Sequence, residues 1–552
     1  MTYPFRILIA ALMGLLVISA CQVPAEQRDA ADLLVINATI YTLDSTFSTA
    51  EAMAVRQGNI VAVGTQEEVE SQYYSSQVFN AQGKFVYPAF NDAHCHYVGY
   101  AEGLLKVNLV GTGSWAEVLQ RTQAFADENK VAFIEGRGWD QNDWELKEFP
   151  TKKELDSLFP NTPVVLKRID GHAAIVNQAA FDFAKMVEVP KVEGGLVVTN
   201  AQGLPTGLLI DRAVDLIPVP ELSRDQKVDA LLKAQQNLHA AGIASLTEAG
   251  LFKKEILLLD SLQKAGDLAL RINAMVSDDS ASLNYFLEKG AIANPWLRVK
   301  SGKFYLDGAL GSRGALLLEP YADDPENYGL QLMRKDYFTL WAKRLAEANW
   351  QMCVHTIGDS ANRLAIEVFR QTSARKKDSR WRLEHAQIVT PQDLKNLAEG
   401  GILPSIQPTH ATSDMYWAEE RLGAARLKNA YCAQSFLDAG LKLPLGTDFP
   451  VEDINPMFTF RAAVYRQDAQ AFPDSGFYPR ERLSPEEALR GMTVYGAYAS
   501  FEEKQKGQLK PGFYADFVVF DQELLNATVA DLNTLSPRAT YVNGEKVFEA
   551  VN

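Results

Sequence analysis

Lys84-Phe85-Val86-Tyr87-Pro88-Ala89-Phe90-Asn91-Asp92-Ala93-His94-Cys95-His96 is an apolar run that ends in two histidines. Residues 84–91 read as a buried strand. On an extended chain, side chains two apart point to one side, so His94 and His96 face the same way. Working outward, seven further apolar runs take the same form, at 242–249, 271–277, 299–306, 351–355, 380–386, 402–407 and 441–447. Amphipathic segments separate most of them, for example 335–348, 361–372 and 391–399. Apolar strands alternating with helices predict a parallel sheet with right-handed crossovers, and eight such units predict an α/β fold of the (β/α)8 TIM-barrel type. The stretch at about 102–237 is far too long for one crossover and is read as an insertion after strand one.

Short β-type runs flank this region. Residues 33–41, 52–63, 515–520 and 539–548 alternate or are β-branched, with Gly58-Asn59 and Asn543-Gly544 as turn signals. They predict a small β-sandwich domain built from both termini, 32–83 and 508–552, around a barrel of 84–507. The 552 residues are 47% hydrophobic and 22% charged, a globular balance that excludes wholesale disorder. A net charge of −15 disfavours nucleic acid or an anionic membrane surface as a partner. No Walker loop, dinucleotide fingerprint or GxSxG elbow is present.

The chain has only seven histidines. His94 and His96 close strand one, His355 closes strand five, His385 closes strand six and His410 ends strand seven. Asp448 ends strand eight, and Lys303 lies in strand four. These groups fall at C-terminal strand ends, the face on which barrel enzymes carry their active sites. Neutral imidazoles with a carboxylate suit zinc or a similar divalent ion. A lysine ammonium cannot ligate; buried and neutral, it could react with carbon dioxide to give a carbamate able to bridge two metals. A single-metal site with an unmodified Lys303 is the alternative. Trp139, Asp140 and Trp144 form an aromatic and acidic cluster that could roof the mouth or pack the insertion onto the barrel. His410 is a candidate substrate contact. Asp307 and Arg313 read as an ion-paired brace, and His239 as structural.

The words Tyr87 to His96, Gly138-Trp139-Asp140, Arg168-Ile169-Asp170-Gly171-His172, Gly203 to Gly207, Lys303 to Arg313, Gln407-Pro408-Thr409-His410, Gly446 to Val451, Leu483 to Leu489 and Gly512 to Asp516 occur in this order. In them the chain resembles the amidohydrolase superfamily, specifically its family-3, YtcJ-like branch. Ala89-Phe90-Asn91-Asp92 and Gly446-Thr447-Asp448 depart mildly from the branch pattern of Gly-Phe-x-Asp and Gly-Ser-Asp; of the first word, the acid and the histidines are expected to matter for chemistry. The resemblance implies that His94, His96 and Asp448 hold the more buried of one or two zinc ions, that a carboxylated Lys303 bridges, and that His355 and His385 hold the second. It implies a catalytic role for Asp448 as proton carrier and a substrate-orienting or oxyanion-contacting role for His172, with capping of a turn as the alternative. The implied reaction is hydrolysis of a carbon–nitrogen bond other than a peptide bond, in small amides or N-substituted formamides, by a metal-activated hydroxide. Deamination or ester hydrolysis at the same site, and non-catalytic solute binding in the envelope, remain the alternatives. A homodimer is compatible with the sequence.

Residues 7–18 are almost wholly apolar, too short at ~1.5 Å per residue to span a ~30 Å hydrocarbon core, and follow one basic side chain. Ile18-Ser19-Ala20-Cys21 resembles a bacterial lipobox. The expectation is a signal peptide, 1–20, a tether, 21–31, and a lipid on Cys21 as the only attachment to the membrane. Gln22 after the cysteine favours the outer membrane of the cell envelope, with the enzyme facing the periplasm. Cys95, Cys353 and Cys432 are read as buried free thiols.

Overall fold

The computed structural model describes residues 28–551 apart from 170–172, 193–194 and 373–377. The expected signal peptide at 1–20, Cys21 and His172 therefore lie outside the described residues.

Seven parallel strands form the barrel wall: β1 (Phe90–Cys95), β2 (Ile243–Leu251), β3 (Arg271–Ser277), β4 (Leu297–Tyr305), β5 (Gln351–Thr356), β6 (Arg382–His385) and β7 (Leu403–Ser405). Each pairs with the next in parallel register. They are buried along most of their length, on both faces, as a sheet wrapped by helices requires. The outer helices carry their own start and stop signals. Arg224–Ala240 begins on a Ser223–Gln226 capping box, and Pro391–Gly400 begins on Thr390 with a proline in its first turn and ends on left-handed Gly401.

Two strand expectations need correction. The apolar run at 84–91 is divided. Phe85–Pro88 joins the terminal β domain, and the barrel strand starts only at Phe90. The Ala89 N–H bonds to Asp516 O and the Phe90 N–H to Gly242 O, so the chain changes sheet at that junction. The eighth run, 441–447, forms no regular strand. Pro444 has no N–H to offer a ladder, and Asp448 adopts φ 63°. The ring still closes there. The Ile406 N–H reaches Pro444 O and the Gly446 N–H reaches Ile406 O on one side, while the Ala93 N–H reaches Leu445 O and the Asp448 N–H reaches His94 O on the other.

Between β1 and β2 the insertion has a six-stranded mixed sheet of its own within 107–211 and its own core, which includes Trp139, Trp144 and Leu166. The terminal segments form a two-stranded sheet of Asp29–Ala30 with Tyr73–Tyr74 and two larger sheets. One holds Leu33–Ile36, Ala52–Arg56, Asn59–Gly64 and Val78–Asn80. The other joins Thr39–Tyr41 and Phe85–Pro88 to Phe517–Phe520, Ala539–Val542 and Glu545–Glu549 from the far end of the chain. Val35, Met53, Val86, Phe517 and Val519 pack between them.

Arg271, at the start of β3 and 1% exposed, fixes this domain to the barrel. Its Nε and Nη2 donate to the Asp516 carboxylate at 2.6 and 2.9 Å, and the guanidinium lies over the Trp296 and Tyr514 rings. Arg271→Met removes one member of a buried pair and strands the other, which costs about 3–5 kcal/mol. Denaturant unfolding of the variant is expected to show a loss of that size; a loss below about 1 kcal/mol would mean the pair is solvated in solution.

Candidate metal centre

Parallel strands end together, so residues remote in sequence meet at one rim. His94 is fully buried at the end of β1, and His96 follows it, 31% exposed. Their rings lie 5.6 Å apart. His355 ends β5 and His385 ends β6, with ring centroids 4.5 Å apart, and His385 lies 4.9 Å from His94. His385 and Ala386 take positive φ values of 73° and 41°, as does Asp448. Such strain, about 1–3 kcal/mol per residue, collects at functional sites. Asp448 Oδ1 lies 3.2 Å from His96 Nε2 and 3.5 Å from His94 Nε2. Lys303 Nζ lies 3.5 Å from His94 Nε2, on a side chain 1% exposed. Among the described residues, His94, His385 and Asp448 form one group of three potential ligands whose donor atoms all lie within 4.8 Å of one another. The six residues expected to share a site are thus brought together.

Two of the rings are held from behind so that Nε2 is left to the mouth. His94 Nδ1 lies 2.6 Å from Glu384 Oε2, and His385 Nδ1 lies 2.8 Å from Gln407 Oε1. Burial, reinforced by Lys303, pushes the imidazole of His94 down to about 4 and that of His355 to about 3. Burial and then His355 lower His385 further. All three are neutral and free to donate a lone pair at ordinary pH. Burial lowers Lys303 as well. Burial pushes the Asp448 carboxyl up, but the His96 side chain 3.2 Å away and the other imidazoles around it outweigh it and hold the group well below the usual carboxylate range.

A divalent cation fits this set. His355 Nε2, His410 Nε2 and Asp448 Oδ1 are buried polar atoms without a hydrogen-bond partner, which is costly unless something electropositive takes their lone pairs. The glycine next to the site is required by close approach. A Cβ at Gly446 would lie 2.5 Å from the His94 nitrogen.

Several neighbours take other places than the sequence suggested. His410 sits on the helix Pro408–Asp414 after β7 and still faces the mouth, its Nε2 3.7 Å from Asp448 Oδ2. Trp139 is fully buried in the insertion core, where its indole N–H donates to Leu166 O at 2.8 Å. Its ring is committed to packing, with no face left for a ligand. Asp140 pairs with Arg168. Asp307 does not brace Arg313, which pairs with Asp323 instead. Asp307 accepts from the Leu316, Ile357 and Gly358 N–H groups and so ties the loop after β4 to the end of β5. Asp92, expected to matter for chemistry, is a structural clasp that accepts from the His94 and Thr447 N–H groups and from Thr447 Oγ1 at 2.7 Å. Glu384 and Gln407 were not anticipated. The alternation in Arg382-Leu383-Glu384 was the available signal, since it puts a cation and an anion on one face of a buried strand.

The amidohydrolase family profile matches residues 77–548. The chain is 32% identical to Protein LONG AFTER FAR-RED 3 of Arabidopsis thaliana over 94% of this chain and 92% of that protein. It is 30% identical to the putative amidohydrolase YtcJ of Bacillus subtilis over 92% and 98%. With an N-substituted formamide deformylase of Arthrobacter pascens it shares 25% over 94% and 98%. Among solved structures, an uncharacterised metal-dependent hydrolase from Pyrococcus horikoshii superposes with a TM-score of 0.76 at 27% identity, covering 90% of this chain and 99% of that one. With the barrel and its rim of histidines, these matches show that the chain is a member of the amidohydrolase family.

Proposed function

We propose that this member of a metal-dependent hydrolase family cleaves the carbon–nitrogen bond of small amides, with N-substituted formamides as the favoured class. The convergence of His94, His385 and Asp448 donor atoms on one point, beside orphaned buried lone pairs, carries the reading. The formamide class is supported by the deformylase similarity over nearly the whole chain. His94, His96, His355, His385 and Asp448 would hold one or two divalent ions, with Lys303, as its carbamate, between them. Such an ion supplies Lewis acidity, making water acidic near neutral pH and polarising a carbonyl. The chain's own part is proton handling. Asp448 Oδ2, with His410 beside it, takes the proton from the attacking water and returns it to the departing nitrogen.

The test is turnover of a panel of N-substituted formamides, other amides, lactams and esters by zinc-loaded protein. Release of formate and amine supports the proposal. Turnover of esters alone, release of ammonia from a ring, or no turnover across the panel overturns it.

For the location we propose an envelope lipoprotein, supported by the apolar run of residues 7–18 and the Ile18-Ser19-Ala20-Cys21 word. Among the described residues no helix is long and apolar enough to cross a membrane. Mass spectrometry of protein from a bacterial envelope is expected to find an acylated Cys21 as the first residue, and a peptide starting at Met1 would refute it.

A further inference from the structure

The rings of the candidate centre are backed by unequal groups. Gln407 behind His385 is neutral. Glu384 behind His94 is a carboxylate, and both side chains of that 2.6 Å contact have no exposed surface. Arg382 holds Glu384 in its ionised form. Its Nε lies 2.7 Å from Oε1 and its Nη2 2.9 Å from Oε2. The same Nη2 reaches Ala93 O at 2.6 Å and Ser405 Oγ at 2.8 Å, so the pair is anchored to β1 and β7 as well as to β6.

An ionised carboxylate can only accept at this contact, so His94 Nδ1 must carry the proton. The Nε2 lone pair is then turned to the other side of the ring, where Asp448 Oδ1 and Lys303 Nζ each lie 3.5 Å away. A carboxylate behind an imidazole also makes it a stronger donor than an amide or a carbonyl does. A buried ion pair is weak grounds for stability by itself, since apolar residues of similar volume often serve as well. Its value here lies in what it does to His94.

We infer that Glu384 is a positioning residue that fixes the tautomer of His94 and makes the site built on His94 and Asp448 the first to fill when the protein takes up divalent ions. The inference rests on the metal-centre reading above. It concerns which ring nitrogen donates and in what order ions enter, neither of which the ligand set alone decides.

The experiment strips the full-length protein with a chelator and titrates it with Zn2+ against a chelating indicator. The wild type is expected to show a tight first step. Glu384→Gln keeps the shape and removes the charge, and is expected to weaken that first step by about 10–100-fold. Glu384→Gln also leaves the buried Arg382 guanidinium without its counter-charge and is expected to lower the unfolding midpoint of the stripped variant. The titration is therefore run where circular dichroism shows the stripped variant folded, and any later Zn2+ step is expected to keep its wild-type affinity, a selectivity that a purely structural loss would not produce. If the wild type takes up no Zn2+, the metal-centre reading fails. If the wild type binds and the variant binds equally tightly, the metal centre stands and the role of Glu384 is overturned. Should the variant not fold, neutron diffraction from metal-free wild-type crystals decides. A deuteron on Nδ1 of His94 supports the assignment, and one on Nε2 overturns it.

Discussion

Asp448→Asn is expected to reduce kcat/KM on any amide substrate by at least about 10²–10⁴-fold, the range attached to losing a positioned acid–base group. The fall should be in kcat, because the lost interaction belongs to proton transfer and not to substrate docking. Asp448 is the anionic member of a cluster of neutral imidazoles, and Asn removes its charge and its basicity while preserving its shape. The circular dichroism of the variant should match the wild type, because the Asp448 N–H to His94 O contact that helps close the barrel belongs to the main chain and survives. Retention of more than about a tenth of the activity would place the reacting groups elsewhere, since one-tenth is outside the range for such a group.

Removal of the ion should have an effect as large. Dialysis against a chelator is expected to abolish hydrolysis, and added Zn2+ to restore it. Elemental analysis of the active protein should find one to two divalent ions per chain. The stripped protein should also be less stable. An ion at a thousand times its Kd contributes about 4 kcal/mol to the folded state, seen as a fall in Tm. Full activity in a sample shown to be free of metal would exclude the mechanism.

The fold was legible because its signals are local. Apolar runs bounded by helical segments report a parallel sheet whatever the distant partners are, and the two-residue alternation of His94 and His96 holds in any strand. His355, His385 and Asp448 were legible because barrel strands all end on one face. What escaped was set by partners far away in the chain. Glu384 meets His94 across 290 residues, and Asp92 meets Thr447 across 355. Nothing beside Asp92 in the sequence tells a clasp from a ligand. Trp139 is buried beneath other parts of the insertion, so its packing role depends on a core that no local pattern reports. The eighth run looked like a strand in its apolar content. Pro444 and the turn at Asp448 show how one missing donor and one left-handed residue defeat a ladder while leaving the burial unchanged.

The barrel closes at the place where the first strand meets the irregular segment from 443 to 448, and the candidate centre straddles that junction. Its donors therefore come from both ends of the barrel sequence, His94 from its opening strand and Asp448 from its last segment. A nascent polypeptide not yet extended to Asp448 lacks one of the three donors, so the chelating cavity is complete only after the last barrel segment has been made and the ring has closed. Ion capture thereby becomes a report that the whole cylinder has been sealed.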